Sequence, residues 1–514
     1  MNSKKMTINI AASLIAFIVQ FLISFVLSPY IVSKLGEEAY GFVNLSNNFV
    51  SYASVLTVAI NSMASRFISI EYNQGNTQQA KRYFSTVFWA NTVLSVLILG
   101  AVMVMIYRLE NVISISPPLV TQVKLTFLVS FFNLGISLIG TVYTAAPFAT
   151  NNMHYVSIMQ IVGNFAKCFL IVTLFFALPP KIYFLGIAML LNNLVLLYGN
   201  YKVSKKLFCD FTVSPKLFSF PLLKQLTQSG MWMLLSNLSN LLLNGFDLLL
   251  TNQLLNGFLM GRLSLAKQIP LAISNALWSF SSIFTASLTK SYAEHAEQGI
   301  IHENKSLMRI LALLFTVPYA GLIVYGPDFL KLWLDSSNYT AADLNQIYLL
   351  LIIVLVDIMV NTYMYSIHSV LIALDKVKVY GVTLFCASVI SIVGTTVLVT
   401  TTDLGVYAIA GTSTCVLGVT HGIIVPIYAA KLLKTKKTTF LAVEAKSWCF
   451  LFLLAAVFLG LKQLLFPITG WMTFLAAVCI NAVLGYLLAV VVLLDKEEKK
   501  SIIGKLKYKM LKRN

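Results

Sequence analysis

Charge is scarce in this chain. Only 11% of its 514 residues are Asp, Glu, Lys or Arg, whereas 58% are hydrophobic. Mean hydropathy is +0.82. A composition this apolar excludes a set of soluble domains and fits a polytopic helical membrane protein. Cysteine is scarce as well. Cys168, Cys386, Cys415, Cys449 and Cys479 lie in apolar spans and Cys209 in a basic loop. No spacing among them resembles a metal site, and no pair suggests a disulfide framework. There is no Walker A motif, so no ATP-driven pump is encoded here. No nucleophile–base constellation stands out, and no loop is long enough to fold as a catalytic domain. These absences argue against an enzyme and call for no cofactor or metal.

What is present is a series of apolar spans. Fourteen are expected, at about 8–32, 42–65, 83–107, 120–145, 154–178, 182–203, 229–254, 258–289, 306–326, 343–373, 378–400, 404–430, 447–466 and 468–494. The last two are split only by Pro467 and its neighbours, and a single re-entrant unit is the other reading. Lys4 and Lys5 precede the first span, which has no small-residue cleavage site, so a signal peptide is not expected. With the N-terminus in the cytoplasm, only Lys34, Arg108, Lys124, Lys181, Lys331 and Lys462 fall outside. Lys167, Arg262 and Lys267 fall within spans, and the rest of the 37 basic residues fall inside. The net charge of +18 is therefore read as the positive-inside bias rather than as a nucleic-acid signal. The bias also places the C-terminus in the cytoplasm.

The expected organisation is an N-lobe over 1–204, a cytoplasmic linker over 205–228 containing Pro215 and Pro221, and a C-lobe over 229–433. Two further spans follow over 434–494, then a basic tail over 495–514. The tail reads as a topology-enforcing solvated end or as an anchor on anionic lipid. The largest outside loop is expected at 326–342. An ungapped offset of 220 residues lays 12–72 onto 232–292 and matches Leu35 to Leu255, Gly41 to Gly261, Leu45 to Leu265, Ser54 to Ser274, Ser62 to Ser282 and Tyr72 to Tyr292. Spans 1–6 and 7–12 then share one topology, as parallel repeats do.

Polar residues form stripes at helical spacing. Span 2 carries Asn44, Asn47, Ser51, Ser54, Asn61 and Ser65. Span 7 carries Asn237, Asn240, Asn244, Asp247 and Thr251. Span 8 carries Arg262, Ser264, Lys267, Gln268, Ser274, Asn275, Ser281, Ser282 and Thr285, and span 10 carries Asp357, Asn361, Tyr365 and His368. Ser and Thr commonly serve helix–helix bonding, whereas this many amides are costly to bury dry. A hydrated cavity is therefore expected, with Asn44, Asn47, Asn240 and Asn244 among its substrate-binding groups. Intramembrane charge points the same way. Arg66, Lys167, Arg262 and Lys267 are the candidate cations for substrate. Asp247 and Asp357 are candidate sites for H⁺ or Na⁺. The structural alternatives are an Asp247–Lys267 ion pair, an Arg262 that snorkels outward, and an Arg66 explained by topology alone.

The chain resembles the multidrug/oligosaccharidyl-lipid/polysaccharide exporter superfamily, and within it the bacterial polysaccharide flippases of the Wzx type. The resemblance is carried by Ser28-Pro29-Tyr30, the turn Leu35-Gly36-Glu37-Glu38-Ala39-Tyr40-Gly41, Ser65-Arg66-Phe67, Glu71-Tyr72 and Gly75. It implies an all-α fold of two six-helix lobes in a V, plus two C-terminal helices, in a bacterial plasma membrane. It also implies alternating access and an undecaprenyl-diphosphate-linked oligosaccharide cargo moved to the outer leaflet. In lipid II flippases the extra pair forms a lipid-facing groove. The expected partners are that lipid-linked substrate, membrane lipids and a coupling H⁺ or Na⁺, with no nucleic acid and a monomer sufficing. A cationic-drug exporter is the alternative of the same fold and should show an acidic cavity. A membrane glycosyltransferase, polymerase or ligase should show a larger catalytic loop. A scaffold would leave the intramembrane charges unexplained.

Overall fold

The computed structural model describes residues 3–334, 339–374, 376–464, 466–495 and 498–499, with side chains except at 3–7, 10, 232, 244, 279–297, 373 and 377. The described chain is helical. Long apolar runs in a membrane must satisfy every backbone N–H and C=O internally, and a helix does so within one segment. Among the described residues, 13 helices are long and apolar enough to cross a membrane. They match the expected spans apart from the eighth, which includes side chains outside the described residues.

The helices are α1 (Ser3–Leu35), α2 (Glu37–Asn73), α3 (Thr77–Tyr107), α4 (Val120–Thr141), the short α5 (Ala145–Ala149), α6 (His154–Ala177) and α7 (Tyr183–Leu207). Next come α8 (Phe220–Asn244), α9 (Phe246–Leu254) and α10 (Gly257–Trp333). The last six are α11 (Ala341–Ala373), α12 (Val377–Thr401), α13 (Val406–Val419), α14 (Val425–Leu432), α15 (Leu441–Leu464) and α16 (Trp471–Leu493). Spans eight and nine both lie within α10, which contains Pro270, Pro318 and Pro327. The α1–α2 turn needs Gly36, whose φ of +86° lies in the left-handed region. Glu37 and Glu38 follow in the first turn of α2, where the helix dipole favours negative charge. The α15–α16 break at Pro467 makes two separate helices of the last pair.

The chain divides into two compact units, Met1–Ser264 and Leu265–Asn514. In the first, α8 packs along α2. The approach is close enough that a Cβ on Gly230 would run into the Ala59 carbonyl. α7 continues to Leu207 and α8 begins at Phe220, so helix covers both ends of the expected 205–228 linker. Its apolar residues fold back onto the unit: Phe208, Leu222 and Leu226 join Ile68, Phe84, Val142 and Ala146 in one buried core. Ring centroids of Tyr72 and Phe208 lie 4.4 Å apart, and those of Phe208 and Phe211 4.2 Å apart.

In the second unit α11 packs on α13, α13 on α12, and α15 on α16. The span through α13 and α14 is interrupted by a π-helical turn at Thr420–Ile424. At the two ends of the expected 326–342 loop, α10 runs on to Trp333 and α11 begins at Ala341, and the acids described there, Asp328 and Asp343, have structural partners. Asp328 pairs with Lys462 of α15. Asp343 completes a capping box with Thr340 at the start of α11. Asp335 lies outside the described residues. An apolar cavity of about 260 Å³ sits between α10, α15 and α16, lined by Val317, Leu322, Phe329, Phe458, Phe474 and Tyr486 among others.

Candidate functional site

In the first unit the polar face of α2 is used along its length. Asn44 Nδ2 donates to Ser264 Oγ at 2.6 Å. Deeper along the same face, Asn48 Nδ2 and the Tyr52 hydroxyl both donate to the Gly245 carbonyl oxygen, at 2.9 and 2.6 Å. Gly245 is where α8 ends and α9 begins. A helix broken at membrane depth frees backbone groups that must be satisfied again, and α2 supplies two donors to one of them. Asp247 lies in the first turn of α9, where its Oδ1 accepts from the Leu248 N–H at 2.8 Å. Interrupted helices are a recurrent way to build ion and substrate sites in transporters, through the helix ends and backbone carbonyls freed at the break.

At one end of this unit the chain is stitched by polar contacts. Arg262 Nε donates to Glu37 Oε2 at 3.1 Å, with side chains 11% and 7% exposed. The guanidinium also lies over the Phe258 ring at 4.3 Å. Arg262 is thus a buried, paired cation rather than one that snorkels outward. The Ser116 hydroxyl bonds Glu38, and Asn252 exchanges two bonds with the backbone of Ser114. A Cβ on Gly41 would lie 2.9 Å from the Gly261 Cα, so the two helices meet backbone to backbone. Gly41 and Gly261 are matched by the 220-residue offset, as are Asn44 and Ser264. Each of these residues therefore touches its own repeat-mate.

The remaining candidates of this unit are placed as follows. Lys167 is half-buried on α6, and no carboxylate or other acceptor lies within bonding distance of it among the described residues. Arg66 is exposed near the end of α2. Asn47 is half-buried on the α2 face. Asn240 is exposed, its Nδ2 turned back to the Ser236 carbonyl at 3.0 Å. The Asn244 side chain lies outside the described residues, as do those of Ser281, Ser282 and Thr285. Many Ser and Thr of the stripes bond carbonyls of their own helix, as Ser51 does to Asn47 and Thr251 to Asp247.

In the second unit Lys267 is buried on α10. Asp357, also buried, accepts from Asn361 Nδ2 at 3.0 Å, and Asn361 Oδ1 faces His421 Nδ1 at 2.6 Å. Tyr365 and Ser274 share a bond of 2.9 Å. His368 packs on Tyr380 at 4.7 Å, and Tyr380 stacks on His421.

Outside the spans, two carboxyls are held below the usual carboxylate range. A hydrogen bond and the charge of Lys124, 2.8 Å away, do so for Glu110. Burial pushes Glu498 up, but bonds from Arg309 and Ser306 outweigh it.

Sequence reasoning passed over Glu37, Asn48, Tyr52 and His421, which the structure brings into these contacts. Glu37 reads as a loop residue, and its burial comes from packing that no periodicity encodes. His421 is the one residue with a legible signal, as a lone imidazole within an apolar span.

Residues 6–284 match the family model described as polysaccharide biosynthesis protein. The uncharacterized membrane protein EpsK of Bacillus subtilis (strain 168) is 28% identical over 437 residues, which covers 85% of each chain. Among solved structures, a multidrug resistance MATE family transporter of the MOP superfamily, in its inward-facing conformation, superposes with a TM-score of 0.69 at 14% identity. The match covers 81% of this chain and 94% of that one. The lipid II flippase MurJ, in an inward closed conformation, superposes with a TM-score of 0.65 at 14% identity, over 93% and 97% of the two chains. Identity that low speaks for the fold, and the family match carries the membership. The chain belongs to the polysaccharide biosynthesis protein family and has the polytopic membrane fold of the MOP superfamily.

Proposed function

We propose that the protein is a flippase that moves undecaprenyl-diphosphate-linked oligosaccharide units from the cytoplasmic to the outer leaflet of a bacterial plasma membrane for surface polysaccharide synthesis. Both termini face the cytoplasm, and residues 1–204 and 229–433 act as the two lobes. The observation that carries this reading is Lys167, a half-buried cation at span depth with no acidic partner among the described residues. A diphosphate is the anion such a group suits. Lys267 is a further buried cation, Arg262 becomes available when its bond to Glu37 is released, and Arg66 stands where a head group would enter. Asn44, Asn47, Asn240 and Asn244 offer amides to sugar hydroxyls. The apolar cavity between α10, α15 and α16 gives the hydrocarbon tail a protein-lined surface.

The cycle runs by alternating access. The head group enters from the cytoplasm while the tail stays in the bilayer. Phosphates meet the cations, the inner opening closes, and the outer end opens by release of contacts such as Glu37–Arg262. Ion binding at Asp247 or Asp357 resets the lobes.

The test is to delete the gene in its host and quantify lipid-linked saccharides and the leaflet they occupy. Complete repeat units should accumulate facing the cytoplasm, relieved by wild type and not by Lys167→Ala. Relief by both proteins would remove Lys167 from the site. No accumulation, with new sensitivity to cationic dyes, would replace the flippase reading with drug export.

A further inference from the structure

Residues 495–514 are divided by charge. Asp495, Glu497 and Glu498 come first, and seven Lys or Arg follow between Lys499 and Arg513 with no acid among them. Composition alone leaves two roles for this segment, a solvated end and a lipid anchor. The structure shows how its base is held. The chain does not continue α16. At Leu494 the backbone is extended, with ψ at 145°. Helical bonding restarts at Asp495, whose carbonyl accepts from the Lys499 N–H at 3.0 Å. Glu498 reaches back to the Asp495 N–H at 2.9 Å, as the acid of a capping box does. Lys499 Nζ folds back onto α16 and donates to the Val491 carbonyl at 2.6 Å.

Arg309 of α10 clamps this turn. Its Nε and Nη2 fork onto the Glu498 carboxylate at 3.0 and 2.9 Å, and its Nη1 meets Asp495 Oδ2 at 2.9 Å. Ser306 donates a further bond of 2.6 Å to Glu498. The Arg309 and Glu498 side chains are 12% and 18% exposed, so the fork is largely shielded from water. Two of the three acids are thus engaged by α10, and the run of cations that follows is left without compensation from them. Positive-inside topology explains cations in this place, but it needs no clamp at their base. The sequence beyond the clamp carries a second signal. Ile502, Leu506 and Met510 recur at steps of four, with Ile503 beside them and Lys505, Lys507 and Lys509 interspersed. At helical spacing these apolar residues share one face. A solvated end has no use for four large apolar side chains. An apolar stripe set among lysines is the pattern of a segment that lies in the interface of an anionic leaflet.

We propose that the C-terminal segment is a docking surface for anionic lipid of the inner leaflet. Arg309 and Ser306 hold its base, the cations between Lys499 and Arg513 meet lipid phosphates, and Ile502, Leu506 and Met510 enter the boundary with the acyl chains. The proposal goes beyond the flippase reading and shares with it only the cytoplasmic C-terminus. The two holds reinforce each other, because each keeps the segment within reach of the other.

The experiment follows chymotrypsin cleavage of the full-length protein by intact mass, at neutral pH and low salt. Sites lie after Leu506 and Tyr508. Nanodiscs of phosphatidylcholine are compared with discs of phosphatidylcholine and phosphatidylglycerol in equal parts. Cleavage should be slower by about tenfold or more in the anionic discs, and the difference should shrink in high salt. Lys505→Gln, Lys507→Gln and Lys509→Gln together leave the cleavage sites in place and should restore fast cleavage there. Arg309→Met frees the base and should open a new cut after Leu494 in discs of either lipid. Equal rates for wild type in the two lipids would overturn the docking surface. So would protection in both lipids that survives the triple substitution, since the segment would then pack on protein. Protection that requires added host cytosol would assign the segment to a soluble partner and overturn the lipid. No new cut in Arg309→Met would overturn the clamp. Discs expose both faces, so these rates do not depend on which way the chain is inserted. Cleavage of the segment in intact spheroplasts would overturn the inner leaflet as its partner. Failure of the flippase reading is seen separately, as undisturbed lipid-linked saccharides in the deletion strain.

Discussion

Replacing Glu37 by Gln leaves Arg262 as a buried cation without its carboxylate. The two side chains are only 7% and 11% exposed, so solvent screening is weak. Removing one partner of a buried pair typically costs about 3–5 kcal/mol, because the other charge stays buried. The stacking of Arg262 on Phe258 survives and offsets part of this, so the low end, about 3 kcal/mol, is expected for Glu37→Gln. Replacing both residues by apolar ones, Glu37→Leu with Arg262→Met, removes the stranded charge and should recover most of the loss. The assay is a double-mutant cycle on purified protein unfolded by SDS titration in mixed micelles. The coupling energy should be about 2 kcal/mol or more. Single and double losses that add within about 0.5 kcal/mol would refute a coupled buried pair.

Three further outcomes follow from the geometry. Gly261→Ala places a Cβ against the Glu37 carbonyl, so folded yield measured by size-exclusion chromatography should drop sharply, whereas Gly321→Ala, with open space around it, should not. Tyr52→Phe removes one of two donors to the Gly245 carbonyl and should lower stability by about 1 kcal/mol, with Asn48 holding the break; adding Asn48→Ala should cost more than the sum, as read from the same SDS titration. Glu498 has a depressed folded-state pKa, so its contribution to docking the segment after α16 onto Arg309 is fully present above the unfolded carboxylate value near about 4.3 and is lost as pH falls through the folded value. Limited proteolysis should therefore release the C-terminal segment in acid and not at neutral pH, and Glu498→Gln should release it at both.

The span pattern was legible because membrane helices write themselves as long apolar runs, and that signal is strong even where boundaries are vague. The break at Gly245 was not. Asn244, Gly245 and Asp247 continue a helical stripe on paper, and only the donors of α2, far away in sequence, show that the helix stops there. Burial of ionic partners was illegible for a similar reason. Glu37 sits in a turn rich in Gly and acid, which reads as exposed until Arg262 is brought across to it. The orientation of the asparagine amides could not be read from periodicity either. Asn44 and Asn48 bond other segments, whereas Asn237 and Asn240 turn back onto their own helix. A stripe shows which residues share a face, and the orientation of each amide depends on the nearest carbonyl.

The contact between Gly41 and Gly261 joins two positions that the 220-residue offset matches. In a symmetric pair of identical chains, a residue that touches its own copy must satisfy itself, so no opposite-charge bond can form there and every substitution is felt twice. A single chain with two similar segments is free of that restriction. Asn44 and Ser264, at matched positions, are a donor and an acceptor. Glu37 and Arg262 are not repeat-mates, since the offset pairs Glu37 with Gly257 and Arg262 with Phe42. Their ion pair therefore appears once, which two identical halves meeting symmetrically could not do. Such a seam lets one of two matched segments specialise while the other keeps its packing.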